Sequence, residues 1–191
     1  MAPRARGNAG GTATSRVTTN VGMNRFVWNV QHQNGLPAPP GAYQARLTAG
    51  ATTLVQPFTL LVDPRLAEEG LTAADLQEQF DHNVRVRQLV TDVNQLLQRV
   101  GEAKKTLASR PANLKQVEEI ELAIRTEPVR YGKPGLQAHI TYLNGMTSGA
   151  DQRIGRDALE RYRVLRKELD EVRAEIDRLL GPDQPSQGSV R

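Results

Sequence analysis

The sequence predicts an α+β protein in which an antiparallel β region precedes a helical region. Residues 13–65 are rich in Thr, Val, Gly and Pro, and apolar residues alternate there with a period of two, as in half-buried strands. Residues 72–181 are rich in Leu, Glu, Arg and Gln, and their apolar residues recur every three or four positions, as in amphipathic helices. Residues 1–12 and 182–191 carry neither pattern and are interpreted as a disordered and a flexible tail.

Alternating series in the β region predict an antiparallel meander of about four strands. The three clearer series are centred on Trp28, on Tyr43 and on Phe58, and residues 14–19 form a weaker candidate. Turn-forming residues at 33–35 and 37–41 separate the second and third strands. The short sequence Ala49-Gly50-Ala51 predicts a tight hairpin connection between the last two strands.

Four helices are predicted in the helical region. The first is capped by Thr72, with Asp75 three residues later as a variant of the capping box, and extends to about residue 108. Two shorter helices are predicted at about 113–125 and 136–145. The last helix covers about 156–180, where Gly181 and Pro182 end it.

The two long helices each carry a narrow apolar seam, which requires a packing partner. On the last helix the spacings are 3, 4, 3, 4 and 3, a heptad pattern formed by Tyr162, Leu165, Leu169, Val172, Ile176 and Leu179. The first long helix has a matching seam at Val86, Val90, Val93, Leu97 and Val100. We expect these helices to pack antiparallel within one chain. A homodimeric coiled coil is the alternative.

Composition excludes several classes of protein. The chain has no Cys, so disulfides, thiolate metal sites and a Cys nucleophile are absent. No apolar run is long enough for a membrane span, and the basic N-terminus lacks the apolar stretch of a signal peptide. The net charge is +4, but the basic residues are spread thinly and are not interleaved with aromatic residues. This distribution disfavours nucleic-acid binding, which requires clustered cations.

The ionisable residues do not predict an active site. His32, His82 and His139 lie far apart along the chain, unlike the ligands of a typical metal site. The carboxylate-rich stretches at 118–121 and 170–175 lie on helices among Arg and Lys, which indicates solvated faces with ion pairs. The motifs of phosphate-binding loops and of serine hydrolases do not occur. No catalytic, cofactor-binding or metal-binding residue is therefore predicted.

A set of motif residues in the β region resembles a known family. The runs 22–29, 39–47 and 62–65 resemble the G-x-N-x-x-x-W and P-x-G-x-Y-x-x-x-L pattern of immunoglobulin-like modules of the flagellar hook-capping type. They resemble more closely the C-terminal region of bacterial sortilin-like, Asp-box (BNR) repeat proteins, often labelled glycosyl hydrolases. In these proteins a β-propeller precedes such a sandwich and then helices. The motif residues are Gly22, Asn24, Trp28, Gly41, Tyr43, Asp63 and Pro64.

The resemblance implies a partial immunoglobulin-like β-sandwich at 13–65, followed by an antiparallel helical hairpin or bundle. A complete sandwich needs roughly 100 residues, about twice the length of this region, so we expect an open edge or face. Trp28 and Tyr43 are expected in the core, Gly22 and Gly41 at tight turns, and Asn24 in a hydrogen bond to a turn. The Asp-box repeats of the propeller do not occur in this chain, so no catalytic residue is carried over.

The function implied by the resemblance is that of a non-catalytic accessory or interaction module. Its partner would be a β-propeller, in the same protein or in another, without a cofactor and in the periplasm or outside the cell. One alternative is a part of a glycoside hydrolase whose catalytic propeller is not in this chain. A basic, nucleic-acid-binding helical protein is the second alternative. A homodimer formed through the helices is a further expectation about partners.

Overall fold

The protein is α+β, with a two-stranded antiparallel sheet and five helices in the part that the structure describes. The structure is a computed structural model that describes residues 17–180. The predicted tails at 1–12 and 182–191, and the first half of the weak strand candidate at 14–19, lie outside these residues; its described half, 17–19, forms no strand. The chain divides into two compact units between Phe80 and Asp81.

The sheet of the first unit is a single β-hairpin. Strand β1 (Gly41–Ala49) pairs with strand β2 (Thr52–Leu60) in a register that sets Tyr43 opposite Phe58. Gly50, with φ +59°, forms the two-residue connection with Ala51. Because directly paired residues share a face, the alternating pattern gives one apolar face. The apolar residues of this face, called the apolar face below, are Tyr43, Ala45, Leu47, Leu54, Phe58 and Leu60, and the polar Gln56 lies among them opposite Ala45.

The predicted strand at 25–30 is not formed. Within the described residues before β1, the one β-type pairing is an isolated bridge between Gln31 and Pro37. Val30 has φ +58°, a left-handed conformation that interrupts an extended chain and is rare for a β-branched residue. A full immunoglobulin-like sandwich is therefore not formed by residues 17–65.

The start of the first long helix follows local capping chemistry. A short helix, α1 (Pro64–Glu68), is followed by α2 (Ala73–Thr106). The Asp75 carboxylate accepts a hydrogen bond from the Thr72 N–H at 2.9 Å, and the Asp75 N–H donates to the Thr72 hydroxyl at 3.2 Å. This reciprocal arrangement confirms the predicted capping box.

The second unit contains most of α2 and three further helices around one core. These are α3 (Pro111–Ile124), α4 (Leu136–Ser148) and α5 (Arg156–Leu180), close to the predicted ranges. Three of the six residues of the predicted α5 seam have no exposed surface, namely Leu165, Leu169 and Ile176. The other three, Tyr162, Val172 and Leu179, are partly buried against the same core. On α2 the fully buried apolar residues are Val86, Leu89, Val93 and Val100. The same core cluster includes residues of α3 and α4.

The two long helices run in the same direction. The ring of His82 contacts that of Tyr162, Asp92 accepts a hydrogen bond from Arg166, and Arg99 forms an ion pair with Asp177. From one contact to the next, the residue numbers in α2 and in α5 both increase, so the two helices are parallel. The predicted antiparallel pairing is therefore wrong.

Helix α4 explains why the long helices are parallel. Asn83 donates to the Thr147 carbonyl, and Gln137 donates to Asn94, so α4 is antiparallel to α2. The chain has thus returned to the N-terminal part of α2 before α5 begins.

Candidate interaction site

Three aromatic rings cover the base of the hairpin's apolar face. The Trp28 ring centroid lies 5.5 Å from that of Tyr43 and 6.1 Å from that of Phe58. The Trp28 indole N–H donates to the Gln31 carbonyl at 2.9 Å, and the Tyr43 hydroxyl donates to the Pro39 carbonyl at 2.5 Å. Tertiary contacts therefore hold the irregular segment before β1 against the sheet, without strand pairing.

This cluster is only partly shielded from solvent, contrary to the core position predicted for Trp28 and Tyr43. Both side chains are half-buried, and Phe58 is exposed. One layer of irregular chain covers the rings, whereas a second sheet would cover them in a complete sandwich. Trp28 does contact other apolar side chains, as predicted, but it is not fully buried.

The apolar face is open at the hairpin tip. Leu47 and Leu54 are directly opposite each other in the register and are 52% and 64% exposed. The adjacent pair Thr48 and Thr53 is on the other, polar face, with hydroxyl oxygens 3.3 Å apart. One face of the tip is thus apolar and the other polar. Contiguous exposed apolar side chains of this kind are typical of surfaces that bind another protein.

Two of the motif residues shape the turn before the aromatic cluster. Gly22 has φ +101°, a conformation that favours glycine. The Asn24 amide donates to the carbonyls of Asn20 and Gly22, at 3.0 and 3.2 Å, so its predicted role in a turn is confirmed. Gly41 is the first residue of β1 and has no positive φ.

Asp63 and Pro64 start helix α1. The Asp63 carboxylate caps the helix by accepting the Arg65 N–H at 2.9 Å, and Pro64 is the first helical residue, where no N–H is needed. The hydrogen bond from the Arg65 side chain, followed by that from its backbone, lowers the pKa of Asp63 to about 2. Both residues therefore serve to begin helix α1 directly after the hairpin.

The carboxylates of the helices form ion pairs on the surface. Each of five carboxylates in the two carboxylate-rich stretches lies within 4.0 Å of a Lys or Arg nitrogen: Glu118, Glu119, Glu121, Asp170 and Glu171. A hydrogen bond from Lys104 is the main cause that lowers the pKa of Glu121. Among the described residues no three His, Asp or Glu side chains are grouped so as to hold a metal ion.

The second unit contains a buried polar group, His82, whose burial was not predicted from the sequence. His82 is fully buried, and neither ring nitrogen has a hydrogen-bond partner among the described residues. Burial, and then the cation of Arg85, lower the pKa of His82. The next residue, Asn83, is also buried and donates a hydrogen bond to the carbonyl of Thr147, another buried polar residue. His82 lies four residues before Val86, on the buried stripe of α2 that continues through Leu89, so helical periodicity could have indicated its burial.

Comparisons with known proteins give no relative for this chain. No family model matches it, and no curated protein and no solved structure is similar to it at a significant level. Within residues 17–180, none of the helices has the length and apolar composition needed to span a membrane.

Proposed function

We propose that this chain is a non-catalytic interaction module that binds a β-propeller through the apolar face of its hairpin. The observation that carries the proposal is the open tip of that face, where Leu47 and Leu54 are exposed side by side. A two-stranded hairpin is marginally stable by itself, and covering its apolar face is favourable. The identity of the partner rests on the resemblance to the C-terminal region of Asp-box repeat proteins.

In this proposal the partner completes the immunoglobulin-like sandwich. The hairpin provides one layer, the segment of Trp28 covers the base of its apolar face, and the partner covers the open tip as the rest of the second layer. Burying a Leu side chain completely is worth about 1.5–3 kcal/mol. Because Leu54 is 64% exposed, its contribution to binding should be about 1–2 kcal/mol, or roughly five- to thirtyfold in affinity.

Titration calorimetry against a purified propeller tests the proposal. The propeller is taken from a bacterial Asp-box protein whose own C-terminal region, which this chain resembles, has been deleted. We expect the intact chain to bind it, and Leu54→Asp to abolish the binding because a carboxylate would be buried in an apolar contact. Thr53→Asp is the matched control, since it adds the same charge one position away, on the polar face.

Two results would contradict the proposal. The intact chain fails to bind the propeller, or Thr53→Asp weakens binding as much as Leu54→Asp. The second result would show a general effect of charge on the hairpin and not a contact of the apolar face.

A further inference from the structure

The type of turn in the hairpin shows which residues on each outer edge have backbone groups that face outward. Gly50 has a positive φ and Ala51, the second residue of the two-residue loop, does not, which is typical of a type II′ turn. In such a hairpin the residues that flank the loop, Ala49 and Thr52, form a hydrogen-bonded pair, and pairs of the two kinds alternate from there. The non-hydrogen-bonded pairs, whose backbone groups face outward, are Ala42–Thr59, Gln44–Pro57, Arg46–Val55 and Thr48–Thr53.

The outer edge of β2 is blocked at its centre. Pro57 has no N–H and belongs to an outward-facing pair, so the edge lacks one of its donors. A ring at this position also hinders the approach of another strand. Proline on an outer edge is a known protection against strand addition.

The outer edge of β1, unlike that of β2, has an N–H donor at every outward-facing residue. Ala42, Gln44, Arg46 and Thr48 all have an N–H group, and all four residues are exposed. In the part of the chain that the structure describes, the sheet has two strands, so no further strand pairs with this edge. The outward N–H and C=O groups of β1 therefore form an uninterrupted template for a third strand.

We propose that an extended segment of the partner protein adds as a third strand to the edge of β1. This inference rests on the proposed function and specifies the chemistry of the partner at the same hairpin. Side chains opposite Tyr43, Ala45 and Leu47 would be apolar and extend the apolar face. The side chain opposite Arg46 would be acidic, because residues 17–62 contain no Asp or Glu that could pair with it.

A second copy of this chain fits this edge poorly as the added strand, because its own β1 offers no acid to Arg46. Strand β1 contains no carboxylate, so a second β1 would place an apolar or uncharged polar residue, or another Arg46, opposite Arg46. Opposite charges on directly paired strand residues are stabilising, whereas like charges are not. A segment that alternates apolar and polar residues and includes an acid fits this edge better.

Amide hydrogen exchange of the full chain, measured by NMR with a model peptide, tests the inference. The probe is a blocked ten-residue peptide of alternating valine and threonine with one threonine replaced by glutamate; the control peptide has lysine instead. On binding of the glutamate peptide, exchange of the outward amides of Gln44, Arg46 and Thr48 should slow by at least about tenfold. The amides of Ala45 and Leu47, already bonded to β2, should not change.

Three variants of the chain test the same geometry. Arg46→Glu should reverse the preference between the two peptides, which we expect to be about fivefold in the intact chain. Gln44→Pro removes one outward N–H, as Pro57 does on the other strand, and should weaken binding about three- to tenfold. Thr53→Pro removes an outward N–H from the β2 edge and is the matched control, which should bind the peptide as well as the intact chain.

Unchanged exchange of the β1 amides at saturating peptide, or equal effects of the two proline variants, would overturn the inference. Because Arg46→Glu keeps every backbone donor, it gives a result even if a proline variant fails to fold. If Leu54→Asp abolishes propeller binding while neither peptide protects β1, docking stands and strand addition is wrong. If the peptide protects β1 but no propeller binds, strand addition stands and the proposed partner is wrong.

Discussion

Replacing His82 by Leu should stabilise the protein. The imidazole is fully buried without a hydrogen-bond partner for either nitrogen, and a buried polar group in this state costs about 1–3 kcal/mol. The substitution would lose the edge contact with the Tyr162 ring, worth about 0.5–1.5 kcal/mol. The balance favours His82→Leu by about 1 kcal/mol in the free energy of unfolding.

The pH dependence of stability provides a second measurement on His82. Burial and the nearby Arg85 lower the pKa of the folded state below the ordinary 6.5, while Tyr162 faces the ring from α5. As the pH falls below 6.5, the unfolded chain binds a proton before the folded protein does. The stability of the protein is therefore unaffected by His82 protonation well above pH 6.5. As the pH falls below 6.5, the free energy of unfolding decreases by up to about 1.4 kcal/mol per pH unit.

Urea unfolding followed by circular dichroism at pH 8 and pH 5 checks both effects. We expect His82→Leu to raise the urea midpoint at pH 8 by roughly 0.5 M, given a typical slope of about 2 kcal/mol per molar urea. The variant should also lose less stability than the intact chain between pH 8 and pH 5. A variant that is less stable at pH 8, with an unchanged loss on acidification, would show that the ring nitrogens are satisfied in the folded protein.

Two further predictions concern the helical unit. Leu169→Ala should cost about 2–5 kcal/mol in urea unfolding because the side chain is fully buried, whereas Val164→Ala on the exposed side of α5 should cost less than about 1 kcal/mol; equal costs would contradict the burial of the seam. Spin labels at Gln88 and Arg163 should lie on backbones about 12 Å apart in the parallel arrangement, compared with about 23 Å in an antiparallel arrangement that sets Val93 opposite Val172. A long distance between these labels would refute the parallel arrangement.

The sequence could predict elements whose signals are local. The hairpin follows from the alternating residues of its strands and the glycine at its turn, and α5 from its heptad spacing and the breaker after Leu180. The segment around Trp28 also alternates, but Val30 adopts a positive φ that no local pattern reveals. Its alternation reflects the contact of Trp28 with the sheet and not strand pairing.

The direction of α5, the exposure of the hairpin tip and the free edge of β1 could not be predicted from the sequence. Periodicity identifies which face of a helix is buried, but not the direction of its neighbour, which here depends on how far α3 and α4 carry the chain back. The apolar face could be read from the alternation, but the exposure of Leu47 and Leu54 depends on the missing second layer. The free edge of β1 becomes visible only when the pairing register is known.

The proline in β2 has a consequence for stoichiometry. A hairpin with two free edges can join others without limit, as in a growing fibre, because each added strand leaves a new edge beside an old one. With Pro57 at the centre of one edge, the hairpin accepts a strand on one side only. Growth through this hairpin would therefore end after one addition, and complexes formed at β1 should have a defined size at any protein concentration.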